Sequence, residues 1–127
     1  MKGNGGRDWL HSGPGADDMY GGRGADVFAF THKAHSTVSA SGRDTIFDFT
    51  SADKIDLSVI DAKSNASGND AFSFIATKGF PGKAGELRYK KTSSDTYVYG
   101  DIDGDKSADF AIHLADAITV KSGCFFL

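Results

Sequence analysis

Asp8, Asp17 and Asp26 recur at nine-residue intervals, and each closes a short stretch rich in glycine. The stretches are Gly3-Asn4-Gly5-Gly6-Arg7-Asp8, Ser12-Gly13-Pro14-Gly15-Ala16-Asp17 and Gly21-Gly22-Arg23-Gly24-Ala25-Asp26. Carboxylates on short side chains suit a hard cation. Calcium takes about 6–8 oxygens at about 2.3–2.6 Å, from carboxylates, backbone carbonyls and water. Glycine reaches φ > 0 without steric cost, so these loops can turn several carbonyls inward. The candidate ligands are Gly3, Asn4, Gly5, Gly6 and Asp8 in the first loop and Ser12, Gly13, Pro14, Gly15 and Asp17 in the second. In the third they are Gly21, Gly22, Arg23, Gly24 and Asp26.

Such loops need strands to hold them. Three residues follow each Asp, with a large apolar side chain in the middle: Leu10, Met19 or Phe28. The pattern G-G-x-G-x-D-x-U-x is the calcium-binding nonapeptide of RTX proteins. Two loops and two strands make one turn of a right-handed parallel roll, so alternate loops stack on the same side. Loop 3–8 is expected on loop 21–26, with one complete site between Asp8 and Asp26. Asp17 then owns half a site, because residues 30–35 do not fit the loop pattern. The chain reads as a segment of a longer roll, whose open end predicts a homodimer through residues 1–20. Asp44, Asp48 and Asp53 follow the roll on what is expected to be Asp17's side. They are read either as completing its site or as turn caps.

Composition narrows the class. There are 16 Asp but one Glu, with 16 Gly and 2 Pro in 127 residues. Asp favours turns and short-reach ligation, whereas Glu favours helices. Lys and Arg are scattered in a chain of net charge −3, which argues against nucleic acid. No apolar run approaches the ~20 residues of a membrane span. Cys124 is the only cysteine and is read as a small hydrophobe beside Phe125 and Phe126. No His-Glu-x-x-His is present, so that route to a catalytic zinc is closed. His32 and His35 read as a solvated loop pair.

The predicted class is all-β: a parallel β-roll of RTX nonapeptide repeats followed by an antiparallel β layer or sandwich. The roll is assigned to residues 1–31, a connecting loop to 32–43 and the antiparallel region with its tail to 44–127. Strands are expected at 44–49, 54–57, 71–76, 85–91, 96–102 and 108–114, with turns at Ser67-Gly68-Asn69, Phe80-Pro81-Gly82 and Asp103-Gly104. A short helical turn is expected near Ser58–Ala62.

Several of these segments carry a resemblance. Gly42-Arg43-Asp44-Thr45-Ile46-Phe47-Asp48-Phe49, Asp53-Lys54-Ile55-Asp56-Leu57-Ser58, Ala71-Phe72-Ser73-Phe74-Ile75 and Gly85-Glu86-Leu87-Arg88-Tyr89 resemble the C-terminal domain of serralysin-type secreted metalloproteases. So does Gly100-Asp101-Ile102-Asp103-Gly104-Asp105-Lys106-Ser107-Ala108-Asp109-Phe110. The resemblance implies a secreted, non-catalytic domain that binds calcium and carries a type I secretion signal at its C-terminus, read by the export machinery. Lys121-Ser122-Gly123-Cys124-Phe125-Phe126-Leu127 is similar to that family's hydrophobic tail, with Cys124 where an acidic residue is usual.

Asp101, Asp103, Asp105 and Asp109 stand at places 1, 3, 5 and 9 of a calcium-loop pattern. Lys106 replaces its usual glycine and Ile112 its final Glu, so the segment is read as either a calcium loop or a hairpin of Asx turns. Similar domains also occur in alginate epimerases. The alternative function is therefore a polysaccharide-binding accessory module, with Arg7, Arg23, Arg43 and Arg88 as candidates for a basic groove.

Overall fold

Each Asp-closed loop leads into a strand only as long as its apolar middle residue requires. The computed structural model describes residues 3, 5–61 and 71–127. Strands β1 (Trp9–His11), β2 (Asp18–Met19) and β3 (Val27–Ala29) follow the three loops. β1 and β3 pair in parallel, Leu10 opposite Phe28, so alternate repeats do stack on one side. Gly5 and Arg23 form a parallel bridge between the first and third loops.

The roll does not stop at residue 31. β4 (Asp44–Ile46) pairs in parallel with β2, and β5 (Lys54–Asp56) with β3. The antiparallel region therefore opens well after residue 44. The reason is visible in the register: Met19 faces Ile46 and Phe28 faces Ile55. These offsets equal three nonapeptides in place of two. One nonapeptide's length is looped out between β3 and β4, where two 3-10 turns, Lys33–His35 and Ala40–Gly42, replace strand. The nine-residue phase survives the detour. Leu10, Phe28 and Ile55 line one sheet and Met19 and Ile46 the other, all of them buried, and burying each such side chain is worth about 1.5–3 kcal/mol.

Two sheets result. One has the order β1-β3-β5-β10, where β10 (Phe125–Phe126) from the tail pairs in parallel with β5. The other runs β2-β4-β9-β8-β7-β6, with β6 at Ser73–Phe74, β7 at Glu86–Lys91, β8 at Thr96–Asp101 and β9 at Phe110–Leu114. Among the described residues, only β7–β8 and β8–β9 pair in antiparallel fashion. β9 joins β4 in parallel, so the antiparallel layer continues a roll sheet edge to edge. In β8, Thr96, Val98 and Gly100 face inward and Tyr97 and Tyr99 outward, the period-2 pattern of a half-buried strand. A Cβ on Gly100 would strike the ring of Phe110, its cross-strand partner, which explains a glycine inside a strand.

Several expected strands are shorter than predicted, since β4 ends at Ile46 and β6 spans two residues. The stretch after β5 closes as a turn, with Ile60 N–H donating to Leu57 O, and no helix forms over residues 58–61. Ala62 and the turn expected at Ser67-Gly68-Asn69 lie outside the described residues. One continuous cluster, including Leu10, Phe28, Ile46, Leu87, Ile112 and Phe125, forms the core shared by roll and layer.

Candidate metal centre

The roll stacks its aspartates into ladders. Asp8 N–H donates to Asp26 Oδ1 at 2.9 Å, and Asp26 N–H donates to Asp53 Oδ1 at 2.9 Å. On the other side Asp17 N–H donates to Asp44 Oδ1 at 2.7 Å. Asp26, Asp53 and Asp44 thus each spend one oxygen holding the loop stacked on them. The second oxygens differ. Asp8 Oδ2, Asp26 Oδ2 and Asp44 Oδ2 are buried without a hydrogen-bond partner, as is Ser12 Oγ. An ionised oxygen sealed from water and left unpaired is strongly unfavourable, and a coordinated cation is the usual remedy.

The first cluster lies between loops 3–8 and 21–26. A Cβ on Gly3 would sit 2.7 Å from both Asp8 Oδ2 and Gly21 O, so these two oxygens converge on the space beside Gly3. A Cβ on Gly21 would collide with the Asp26 carboxylate, and one on Gly24 with Gly6 O. Gly6 and Gly24 have φ of +89° and +111°, the left-handed conformation that glycine adopts freely. Burial raises the Asp26 carboxyl above its ordinary range, and the nearby charges of Asp53, Asp8 and Asp48 add to this, against the Asp8 N–H.

The second cluster pairs loop 12–17 with loop 39–44. Asp44 completes the side of Asp17, with Ser12 Oγ buried nearby and Asp17 Oδ2 accepting from Gly13 N–H at 3.2 Å. Burial lifts the Asp44 carboxyl to about 7, opposed by the Asp17 N–H and reinforced by the Asp17 charge. Ser36 Oγ accepts Asp44 N–H at 3.0 Å and donates to Ala111 O, tying this loop to β9. Pro14 and Gly15 are exposed on the outer rim of the loop. Asn4 lies outside the described residues.

Asp53 is on the opposite side from Asp17, beneath Asp26, which corrects its expected placement. Its Oδ2 is already used by Thr50 N–H at 2.8 Å and by the Thr50 hydroxyl at 3.2 Å. Asp48 accepts from Gly21 N–H and Gly22 N–H, both at 2.8 Å. Loop 48–53 therefore satisfies its carboxylates with hydrogen bonds, where loops 3–8 and 21–26 stacked on it leave oxygens of Asp8 and Asp26 bare. Thr50 and Ser36 escaped the sequence reading because neither sits in a repeated column.

Asp101, Asp103, Asp105 and Asp109 do converge, with one oxygen of each within 4.8 Å of the others. The turn uses most of their acceptor capacity. Asp101 takes Gly104 N–H at 2.9 Å and Lys106 N–H at 3.1 Å, and Asp109 Oδ2 takes Ile102 N–H at 2.6 Å. Asp103 and Asp105 accept from Asp105 N–H and Ser107 N–H in Asx turns. Burial raises the Asp101 carboxyl, partly offset by those two N–H donors. Cys124 is a buried free thiol, and the rings of His32 and His35 lie 5.6 Å apart on their 3-10 turn.

The sequence profile described as "Peptidase M10 serralysin C terminal" matches residues 5–125. No curated protein sequence gives a significant match. Among solved structures, the chain is similar to two subunits of the mannuronan C5-epimerase of Azotobacter vinelandii. For one, the TM-score is 0.62 at 23% identity, covering 98% of this chain and 65% of that one. For the other it is 0.59 at 23% identity, covering 94% and 70%. At that identity both likenesses concern the fold.

Proposed function

Because the chain belongs to the serralysin C-terminal family of M10 peptidases, we propose that it is a non-catalytic calcium-binding RTX domain that folds on extracellular calcium and carries a C-terminal signal for type I secretion. The observation that carries this reading is the set of buried, unpartnered oxygens on Asp8, Asp26 and Asp44. Calcium bound there supplies the positive charge that lets these carboxylates stay ionised out of water. Asp8 and Asp26, with carbonyls such as those of Gly6 and Gly21, hold one ion; Asp17, Asp44 and Ser12 hold another. Asp53 and Asp48 serve the roll as hydrogen-bond acceptors. For the 101–109 turn, self-satisfied Asx geometry favours a structural role.

Where calcium is scarce, the stacked carboxylates repel one another and the loops stay open, which suits passage through a narrow channel. Millimolar calcium outside the cell then favours the folded state, since binding to it adds directly to folding free energy. The tail is part of the folded sheet, with Leu57 N–H donating to Phe126 O at 2.9 Å. Its availability to the export machinery therefore depends on the chain being unfolded.

Calorimetric titration with calcium tests the reading. Wild type is expected to bind two ions in the roll, and Asp8→Ala and Asp44→Ala to lose one each. Unchanged ion counts and affinities in both variants would show the assignment to be wrong.

A further inference from the structure

The detour between β3 and β4 opens on His32 and His35, two of the chain's four histidines. Its first 3-10 turn, Lys33–His35, closes with His35 N–H donating to His32 O at 3.0 Å. Side chains three residues apart eclipse on such a turn, so both imidazoles rise from the same side of it. Their ring centres lie 5.6 Å apart, and the planes are tilted by 40°. This is not a stacked pair like Tyr97 and His113, whose centres are 4.8 Å apart and whose planes differ by 11°. It is the spacing of two rings that share one ion. With metal–nitrogen bonds of about 2.0–2.1 Å at a near-tetrahedral angle, two imidazole centres stand about 5–6 Å apart.

Nδ1 of His35 is buried and has no hydrogen-bond partner. That nitrogen is committed to neither backbone nor carboxylate, and coordination supplies the partner that the fold does not. The other two histidines differ. His113 has both nitrogens engaged, Nδ1 with Thr45 Oγ1 at 3.2 Å and Nε2 with Asp95 Oδ1 at 2.7 Å. His11 lies on β1, its ring stacked with that of Trp9 at 6.4 Å. His32 also lines a cavity of about 240 Å³, with Lys33, Asp61 and Ile102 among its walls. The ammonium of Lys33 and the carboxylate of Asp61 offset each other there, so the local field does not oppose a cation. The cavity has room for the water that completes the shell of an ion held by two side chains.

We propose that His32 and His35 form a clip for a divalent transition-metal ion of the zinc, nickel and copper class. Ligand chemistry selects the class, because imidazole suits these ions whereas calcium takes oxygen. The clip uses none of the roll's carboxylates, so it stands independently of the calcium reading. An ion bound there staples the start of the detour, immediately before Ser36, whose Oγ accepts Asp44 N–H at 3.0 Å.

The test is titration of the calcium-loaded chain with zinc, followed by NMR of the histidine rings. One zinc per chain is expected, with the bound calcium retained. Ring signals of His32 and His35 should shift together while those of His11 and His113 stay put. Magnesium, which prefers oxygen, should shift neither ring. His32→Gln and His35→Gln should each weaken zinc binding about tenfold or more, at least the loss typical of groups one shell further out. His11→Gln should leave it unchanged. Copper in place of zinc should give a spin-resonance spectrum with two coupled imidazole nitrogens in wild type, a readout that needs no variant to fold. Zinc shifts confined to one ring, equal shifts with magnesium, a single coupled nitrogen with copper, wild-type zinc affinity in both His32→Gln and His35→Gln, or zinc uptake only by displacing calcium would each overturn the proposal.

Discussion

With Oδ1 committed to Asp17 N–H and Oδ2 sealed without a partner, Asp44 keeps its proton up to about pH 7, against an ordinary value of 3.8. Between those two values the metal-free native state holds a proton that the unfolded chain has lost. Metal-free stability therefore falls as pH rises through this window, and the full penalty applies above about 7. Calcium competes with that proton, so its binding should tighten as pH rises towards 7 and should release protons below it. Titrations near pH 5.5 and 7.5, in buffers of different ionisation heat, check this; no proton release at the lower pH would contradict it. Asp44→Asn keeps the acceptor for Asp17 N–H but removes the buried charge. It should raise metal-free stability above pH 7 by a few kcal/mol and abolish one calcium site, read by thermal unfolding with and without chelator.

At the scale of the element, loop 48–53 is the footing on which the metal loops stand. Asp53→Ala would strand the buried Asp26 N–H and release Thr50, costing about 1–3 kcal/mol whether or not calcium is present. Asp8→Ala should matter chiefly when calcium is bound; paired denaturation curves with and without chelator separate the two behaviours. The same loop shows how far the sequence could be read. Asp8, Asp17 and Asp26 were legible because Gly and Asp recur together in strict phase. Asp44 and Asp53 keep that phase, and Ile46 and Ile55 keep the apolar column, but His35 and Thr37 occupy those two columns between them. The gap hid the continuation, so β4 and β5 read as the start of a different layer. The strands expected at 85–91 and 108–114 form as Glu86–Lys91 and Phe110–Leu114, because the alternation of Leu87 with Tyr89 and of Phe110, Ile112 and Leu114 is a local signal. Nothing local in Phe125 and Phe126 announces a partner in β5, which is a long-range pairing.

For the whole molecule, metal dependence should be uneven. The strands β7 and β8 bury Leu87 and Val98 and pair with no metal loop, whereas β9 pairs with β4 alongside Asp44. On adding chelator, hydrogen exchange should accelerate over residues 5–29 well before it does in β7 and β8. Uniform loss of protection would mean that calcium supports the entire fold. At the opposite margin, β1 is an edge strand with Trp9 half exposed, a surface open to strand pairing with a second copy. Sedimentation should detect a calcium-dependent dimer that Trp9→Lys disperses; a monomer at high concentration would exclude it.

β10 docks against β5 only after the chain has travelled through four other strands, so it closes the longest loop in its sheet. Closure over such a separation is entropically slow and belongs to the late stages of folding. Phe126 then arrives within 6.4 Å of Trp9, their rings 11° from parallel. Trp9 is the only tryptophan in the chain. The molecule thus carries its own optical clock. In a stopped-flow experiment started by adding calcium, the last change in indole emission should mark the moment the tail is withdrawn into the fold. Phe126→Ala should erase that phase while leaving the earlier ones in place.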